Sequence, residues 1–202
     1  MKIGVVVDGV SEFASLPSLY AELRKATGNQ ILRPVRANIQ PTAPSGVIVR
    51  QCSKRIRECY ERGAEAVVVL IDREDRNECP GEIASAIEAR LGQARLNAHV
   101  VIKDRTYENW LLADIDALKC LSGRFVLSKA TVQAVQPNKA DHVDALKLLK
   151  RSVRSGSYHK VDDSKRICEK ADASRLAQHS RSFRRFLRVV GDSTYQTQSA
   201  MP

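Results

Sequence analysis

No apolar run in the 202-residue chain approaches the ~18–20 residues that a membrane-spanning helix needs, so the sequence excludes a transmembrane protein. The apolar segment that opens the chain stops at Asp8. It is too short for the core of a secretion signal and no small-residue cleavage site follows, so the expected location is the cytoplasm. Cysteine is sparse and unpatterned: Cys52, Cys59, Cys79, Cys120 and Cys168 are odd in number and hold no Cys-x-x-Cys pair. That fits neither a disulfide framework nor a thiolate zinc site, and leaves reduced, mostly buried thiols. The chain lacks Gly-x-Gly-x-x-Gly, a Walker motif and Gly-x-Ser-x-Gly, which disfavours the nucleotide sites and the serine nucleophile those motifs build. His99, His142, His159 and His179 show no metal-ligand spacing. His99 sits in an apolar run and reads as a core residue.

What the chain does hold is enough for a packed core. Hydrophobic residues make up 43% and charged residues 28%, which sets disordered and fibrous classes aside. The net charge is +10 and is unevenly placed. Between Lys147 and Arg188 thirteen basic residues face four acidic ones, so this stretch carries nearly all of the surplus. Such a concentration is the footprint of a polyanionic partner, or simply a solvated basic face.

The patterning alternates between buried strands and helices. Residues 2–7 and 66–71 are near-continuous β-branched runs, as expected for a parallel sheet covered on both faces, and 99–102 is a third. Between them, helical spacing runs from Ser11 through Leu16, Leu19, Tyr20 and Leu23 to a stop at Gly28, with Pro17 in the first turn. The Pro-rich segment 31–46 predicts one strand and a loop. Helices are predicted over 47–62, 80–96 and 107–121. Beyond Gly123 strand signals fade, and helices are expected over 141–155 and, as one or two pieces, over 172–189. The fold class is therefore α/β, a parallel-sheet core with helices on both faces and a basic, mainly helical C-terminal extension. The expected organisation is a core over 1–123, an extension packed on it over 124–190, and a disordered tail over 191–202.

Acidic residues stand where the strands end. Asp8 closes the first, with Glu12 four residues on; Asp72, Glu74 and Asp75 follow the second; Glu108 opens the helix after the third. Ligands of open α/β sheets bind outside the carboxyl ends of the strands. Carboxylates gathered there repel one another and call for a cation, and an all-oxygen set suits Mg²⁺ or Mn²⁺, which can orient a phosphodiester and activate water. Each acid also has a plain alternative: Asp8 as a turn or cap residue, Asp75 as a loop acid, Glu108 as a partner of the helix dipole.

An apolar strand ending in acid-Gly, Asp8-Gly9, with Glu12 behind it, and a second ending in Asp72-x-Glu74, resemble the Toprim pattern. There the first acid is usually Glu and the second motif Asp-x-Asp. Leu70-Ile71-Asp72-Arg73-Glu74-Asp75, Tyr107-Glu108-Asn109-Trp110-Leu111, Tyr158-His159-Lys160 and Ser180-Arg181-Ser182-Phe183-Arg184-Arg185-Phe186 are similar to successive signatures of a small Toprim-like bacterial family. Its members are similar to RloB and are often encoded beside ATPases in restriction or phage-defence loci. The resemblance implies a Toprim-like core, a Mg²⁺- or Mn²⁺-dependent nuclease acting on nucleic acid, most simply DNA, and catalytic and metal-binding roles for Asp8, Glu12, Asp72 and Glu74. Glu108 would be a further ligand. Tyr158, Lys160, Arg181, Arg184 and Arg185 would bind the nucleic-acid backbone or buttress the site. Trp110, Phe183 and Phe186 read as core. An ATPase encoded alongside and a second copy of the chain are the expected protein partners, and no membrane is. A non-catalytic binding module and a small-molecule α/β enzyme are the competing classes.

Overall fold

The computed structural model describes residues 1–200. Its order is β1 (Lys2–Val7), α1 (Val10–Ser15), a 3-10 turn (Leu16–Leu19), α2 (Tyr20–Thr27), β2 (Gln30–Ile31), β3 (Val35–Arg36), α3 (Ser45–Glu61), β4 (Ala66–Asp72), α4 (Pro80–Gln93) and β5 (His99–Lys103). The chain continues through α5 (Tyr107–Ala113), α6 (Ile115–Cys120), α7 (Lys129–Val135), a 3-10 turn (Ala140–His142), α8 (Ala145–Ser152), α9 (Lys160–Cys168), α10 (Ala173–His179), α11 (Arg181–Val189) and a 3-10 helix (Ser193–Ala200). Residues 201 and 202, the end of the tail expected to lack order, lie outside the described residues.

All strand pairs are parallel, in the order β2-β1-β4-β5, with β3 joining β1 beyond the end of β2. Side chains of a strand alternate between faces, and here the two sets feed two separate cores. Ile3, Val5, Val7, Val68, Leu70 and Val101 pack under α1, α2 and the helices after β5. Val6, Val67, Val69, Ile71, Val100 and Ile102 pack under α3 and α4. Burial on both faces is why β1 and β4 read as unbroken apolar runs. At Gly4 the sheet comes so close to α3 that a Cβ would lie 2.6 Å from that of Cys59. The C-terminal helices share the first core with the sheet through Leu149, Ile167, Leu176, Phe183 and Phe186. Trp110 stacks on Phe186 at 5.3 Å and meets Phe183 edge-on at 5.0 Å. Cys52, Cys59 and Cys168 are buried, while Cys79 and Cys120 are exposed. No helix among the described residues is long and apolar enough to cross a membrane.

The departures from the sequence reading have local causes. The helix expected over 107–121 breaks at Asp114, whose buried carboxylate accepts from Ala117 N, Asp172 N and Arg175 Nε at 2.8–3.0 Å. The helix expected over 141–155 begins only at Ala145, because Asn109 Nδ2 holds the carbonyls of Ala140 and Val143 in a turn. The single segment from Ser11 to Thr27 is interrupted by the 3-10 turn that starts beside Pro17. His99 is not a core residue: it starts the edge strand β5, its side chain is 60% exposed, and it lies 4.0 Å from Glu88.

Candidate metal centre

The carboxyl ends of β1, β4 and β5 come level because the three strands pair in register, Val7 with Leu70 and Asp72 with Lys103. Asp8 leaves β1, Asp72 ends β4, and Lys103 ends β5. Glu12 arrives from the first turn of α1, which Gly9 starts in an extended conformation. Ligand oxygens of Asp8, Glu12 and Asp72 all lie within 4.8 Å of one another. Lys103, fully buried, places its Nζ among them: 3.0 Å from Asp8 Oδ1, 3.0 Å from Asp72 Oδ1, and in contact with Glu12 Oε1. Asp8 Oδ2 also accepts the backbone N–H of Asp72 at 3.1 Å, which clamps the two strand ends together.

Three carboxylates around one ammonium leave a negative excess when all are ionised. The carboxyls respond differently. Burial pushes Asp8 upward, but Lys103 and the Asp72 N–H outweigh it and hold Asp8 below the usual range. Burial raises Glu12 despite Lys103, with the Asp8 charge adding to the rise. Asp72 goes well above the usual range through burial and the charges of Asp8 and Glu12, against the pull of Lys103. Lys103 is held charged: its desolvation is outweighed by Asp72, Asp8 and Glu12. Asp72 Oδ1 makes the ion-pair contact without a hydrogen bond of good geometry. Its side chain, 21% exposed, is the one through which the cluster reaches solvent. An all-oxygen donor set with an incompletely satisfied oxygen suits a hard divalent cation.

The other expected site residues lie elsewhere. Glu74 does not join the cluster: the strand ends at Asp72, and Glu74 adopts a left-handed backbone, φ 54°, that turns it to solvent. The alternation that would have aligned it with Asp72 therefore does not continue. Glu108 is buried and 3.3 Å from Lys160 Nζ, outside the three-carboxylate group. Tyr158 is partly buried, its hydroxyl 3.3 Å from Ser164 Oγ. Arg181 is exposed; Arg184 donates to Asn138 Oδ1 and the Ala177 carbonyl; Arg185 is partly buried. The residue the sequence reading missed is Lys103. Its signal was a third strand run of the same kind as the first two, closed by a cation where they close with acids.

The fold and the cluster together define a parallel α/β protein with a candidate cation centre at the carboxyl edge of its sheet. Residues 10–190 match the model of a domain of unknown function, DUF4276, and the chain belongs to that family. Among solved structures it is similar to the C-terminal region of the Burkholderia pseudomallei OLD protein, with 15% identity, a TM-score of 0.48, and coverage of 92% of this chain and 96% of that one. No curated protein matches the sequence.

Proposed function

We propose that the chain is a Toprim-like, divalent-metal-dependent nuclease that hydrolyses nucleic-acid phosphodiesters as an effector of a restriction-linked or anti-phage system. The observation that carries this reading is the convergence of Asp8, Glu12 and Asp72 within 4.8 Å at adjacent strand ends. These three would hold Mg²⁺ or Mn²⁺, which when bound polarises a phosphodiester and lowers the pKa of attacking water. Asp8, pulled down, is the permanent anion of the set. Glu12 and Asp72, pushed up by burial and by neighbouring negative charge, are the members whose ionised forms a bound divalent cation would favour most. Lys103 fixes all three carboxylates relative to one another. Lys160 and Arg181, exposed on the C-terminal helices, are the expected backbone contacts best placed to meet a polyanion.

A second reading has its own observation. Lys103 already supplies a cation to the carboxylates, which supports a non-catalytic module that binds nucleic acid or an ATPase encoded alongside. A cleavage assay separates the two. Plasmid, linear DNA and RNA are incubated with wild type and Asp72→Ala in Mg²⁺, Mn²⁺ or EDTA. The nuclease reading expects metal-dependent cutting that the variant loses. Equal cutting by both proteins would overturn the assignment of the site, and no cutting by wild type would favour the module.

A further inference from the structure

The residue after Glu12 opens a second feature. Phe13 borders a groove of about 430 Å³ whose charged lining is Arg33, Arg36, Arg55, Glu58 and Arg62. The groove lies between the outer edge of the sheet at β3 and one side of α3. It adjoins the acidic cluster through two chain links: Phe13 follows Glu12 on α1, and Arg36 pairs with Val7, the residue before Asp8.

Its electrostatics are one-sided. Glu58 is taken up by Arg55, Nη1 to Oε2 at 2.7 Å. Arg33 covers the face of Phe13, 5.7 Å from the ring centroid. Arg33, Arg36 and Arg62 are exposed and, among the described residues, form no ion pair with a carboxylate. Protecting a sheet edge from pairing with another strand needs only scattered charge of either sign. Three uncompensated guanidinium groups converging in one concavity exceed that need. The arrangement leaves repulsion unrelieved, and the groups that relieve it best are phosphates, whose oxygens match the guanidinium fork. A flat bilayer fits poorly, because no exposed large hydrophobic residue lines the groove to enter the lipid.

We propose that Arg33, Arg36 and Arg62 form a binding site for the phosphodiester backbone of a nucleic acid. A strand held in this groove runs along the β3 edge, beside the chain segment that carries Asp8 and Glu12. The inference deepens the nuclease reading by placing its substrate, but backbone binding is testable apart from cleavage.

The test measures binding of a fluorescent DNA duplex, a DNA single strand and an RNA in EDTA, across a salt series. The proteins are wild type, the triple variant Arg33→Ala/Arg36→Ala/Arg62→Ala, and the control Arg50→Ala/Lys54→Ala/Arg57→Ala, exposed on α3 outside the groove lining. Each lost phosphate contact lowers the slope of log affinity against log salt by about 0.7–0.9. The triple groove variant is therefore expected to lose a slope of roughly 2–3 and at least about tenfold in affinity at low salt, while the control keeps most of its affinity. Circular dichroism verifies the fold of each variant, and single substitutions replace the triple if it unfolds. Unchanged binding by folded groove variants would overturn the proposal. So would binding to phosphatidylserine vesicles, but to no nucleic acid, that the groove substitutions abolish. Groove-dependent binding without metal-dependent cutting would leave this inference standing and defeat the nuclease reading. Cutting unaffected by the groove substitutions would do the reverse.

Discussion

Lys103 stands directly opposite Asp72 in the β4–β5 register, its Nζ 3.0 Å from Asp72 Oδ1 and completely buried. The sheet thus places a cation on one strand against an acid on the next, with Asp8 and Glu12 closing around both. Removing one member of a buried charge set leaves the others uncompensated, at a cost of about 3–5 kcal/mol. Lys103→Met is expected to lose stability on that order in denaturant unfolding at neutral pH. Mn²⁺ is expected to restore a large part of the loss, since it returns positive charge to the same three carboxylates. A variant as stable as wild type would show that the carboxylates do not depend on Lys103.

Gly9 is constrained by the site. A Cβ built there would fall well inside van der Waals contact with the Glu12 carboxylate. The backbone, φ −94° and ψ 155°, accepts any residue, so the demand is for space alone. Gly9→Ala is expected to unfold at a lower denaturant concentration than wild type, because Glu12 must swing away from Lys103, and to bind Mn²⁺ at least about tenfold more weakly; an energy near 1.4 kcal/mol suffices for that factor. Wild-type metal affinity in this variant would remove Glu12 from the ligand set.

The Ser180–Phe186 segment is a structural lock. Asp141, buried, accepts from Ser180 Oγ and the Ser182 N–H at 2.8 Å each, and Trp110 Nε1 donates to Ser182 Oγ at 2.7 Å. Phe186, fully buried, stacks on the same indole. Phe186→Ala is expected to cost about 3–5 kcal/mol in chemical unfolding, in line with deletion of a buried ring. A loss below 1 kcal/mol would mean the site collapses around the cavity.

His179 gives a pH dependence with a definite sign. It is buried, and its Nδ1 accepts from the Asn138 N–H at 3.3 Å. Burial lowers its pKa below the ordinary 6.5, although Asp114 and Asp116 pull the other way. Below about pH 6.5 the unfolded chain therefore takes a proton that the folded chain refuses, and stability falls as pH falls through that value. Unfolding midpoints at pH 5.5 and 7.5 are expected to differ more in wild type than in His179→Asn, which keeps an acceptor without the titration. An identical difference in both proteins would contradict this.

Much of the architecture was legible because burial on both faces leaves a strong mark. The runs at 3–7 and 66–71 have no polar face to alternate with, and they became the two central strands. Asp8 and Asp72 were legible for a related reason, since each stands at the end of a buried run, and Glu12 was legible from its place four residues after Asp8. Other features were not. The helix α9 has only Val161, Ile167 and Cys168 as apolar members and presents no stripe. Glu74 stands apart from the cluster because the strand ends at Asp72 and the chain then enters a left-handed turn that no residue type there announces. Lys103 escaped notice because a lysine closing a strand reads as a solvated end; only the register with Asp72 reveals it as buried.

The most direct test of the central claim is a calorimetric titration of Mn²⁺ into wild type and Asp72→Asn at neutral pH. The expected result is saturable binding by wild type that is lost in the variant, the fold of both being unchanged by circular dichroism. Absence of binding in wild type, or equal binding in the two proteins, would contradict a metal centre built from Asp8, Glu12 and Asp72.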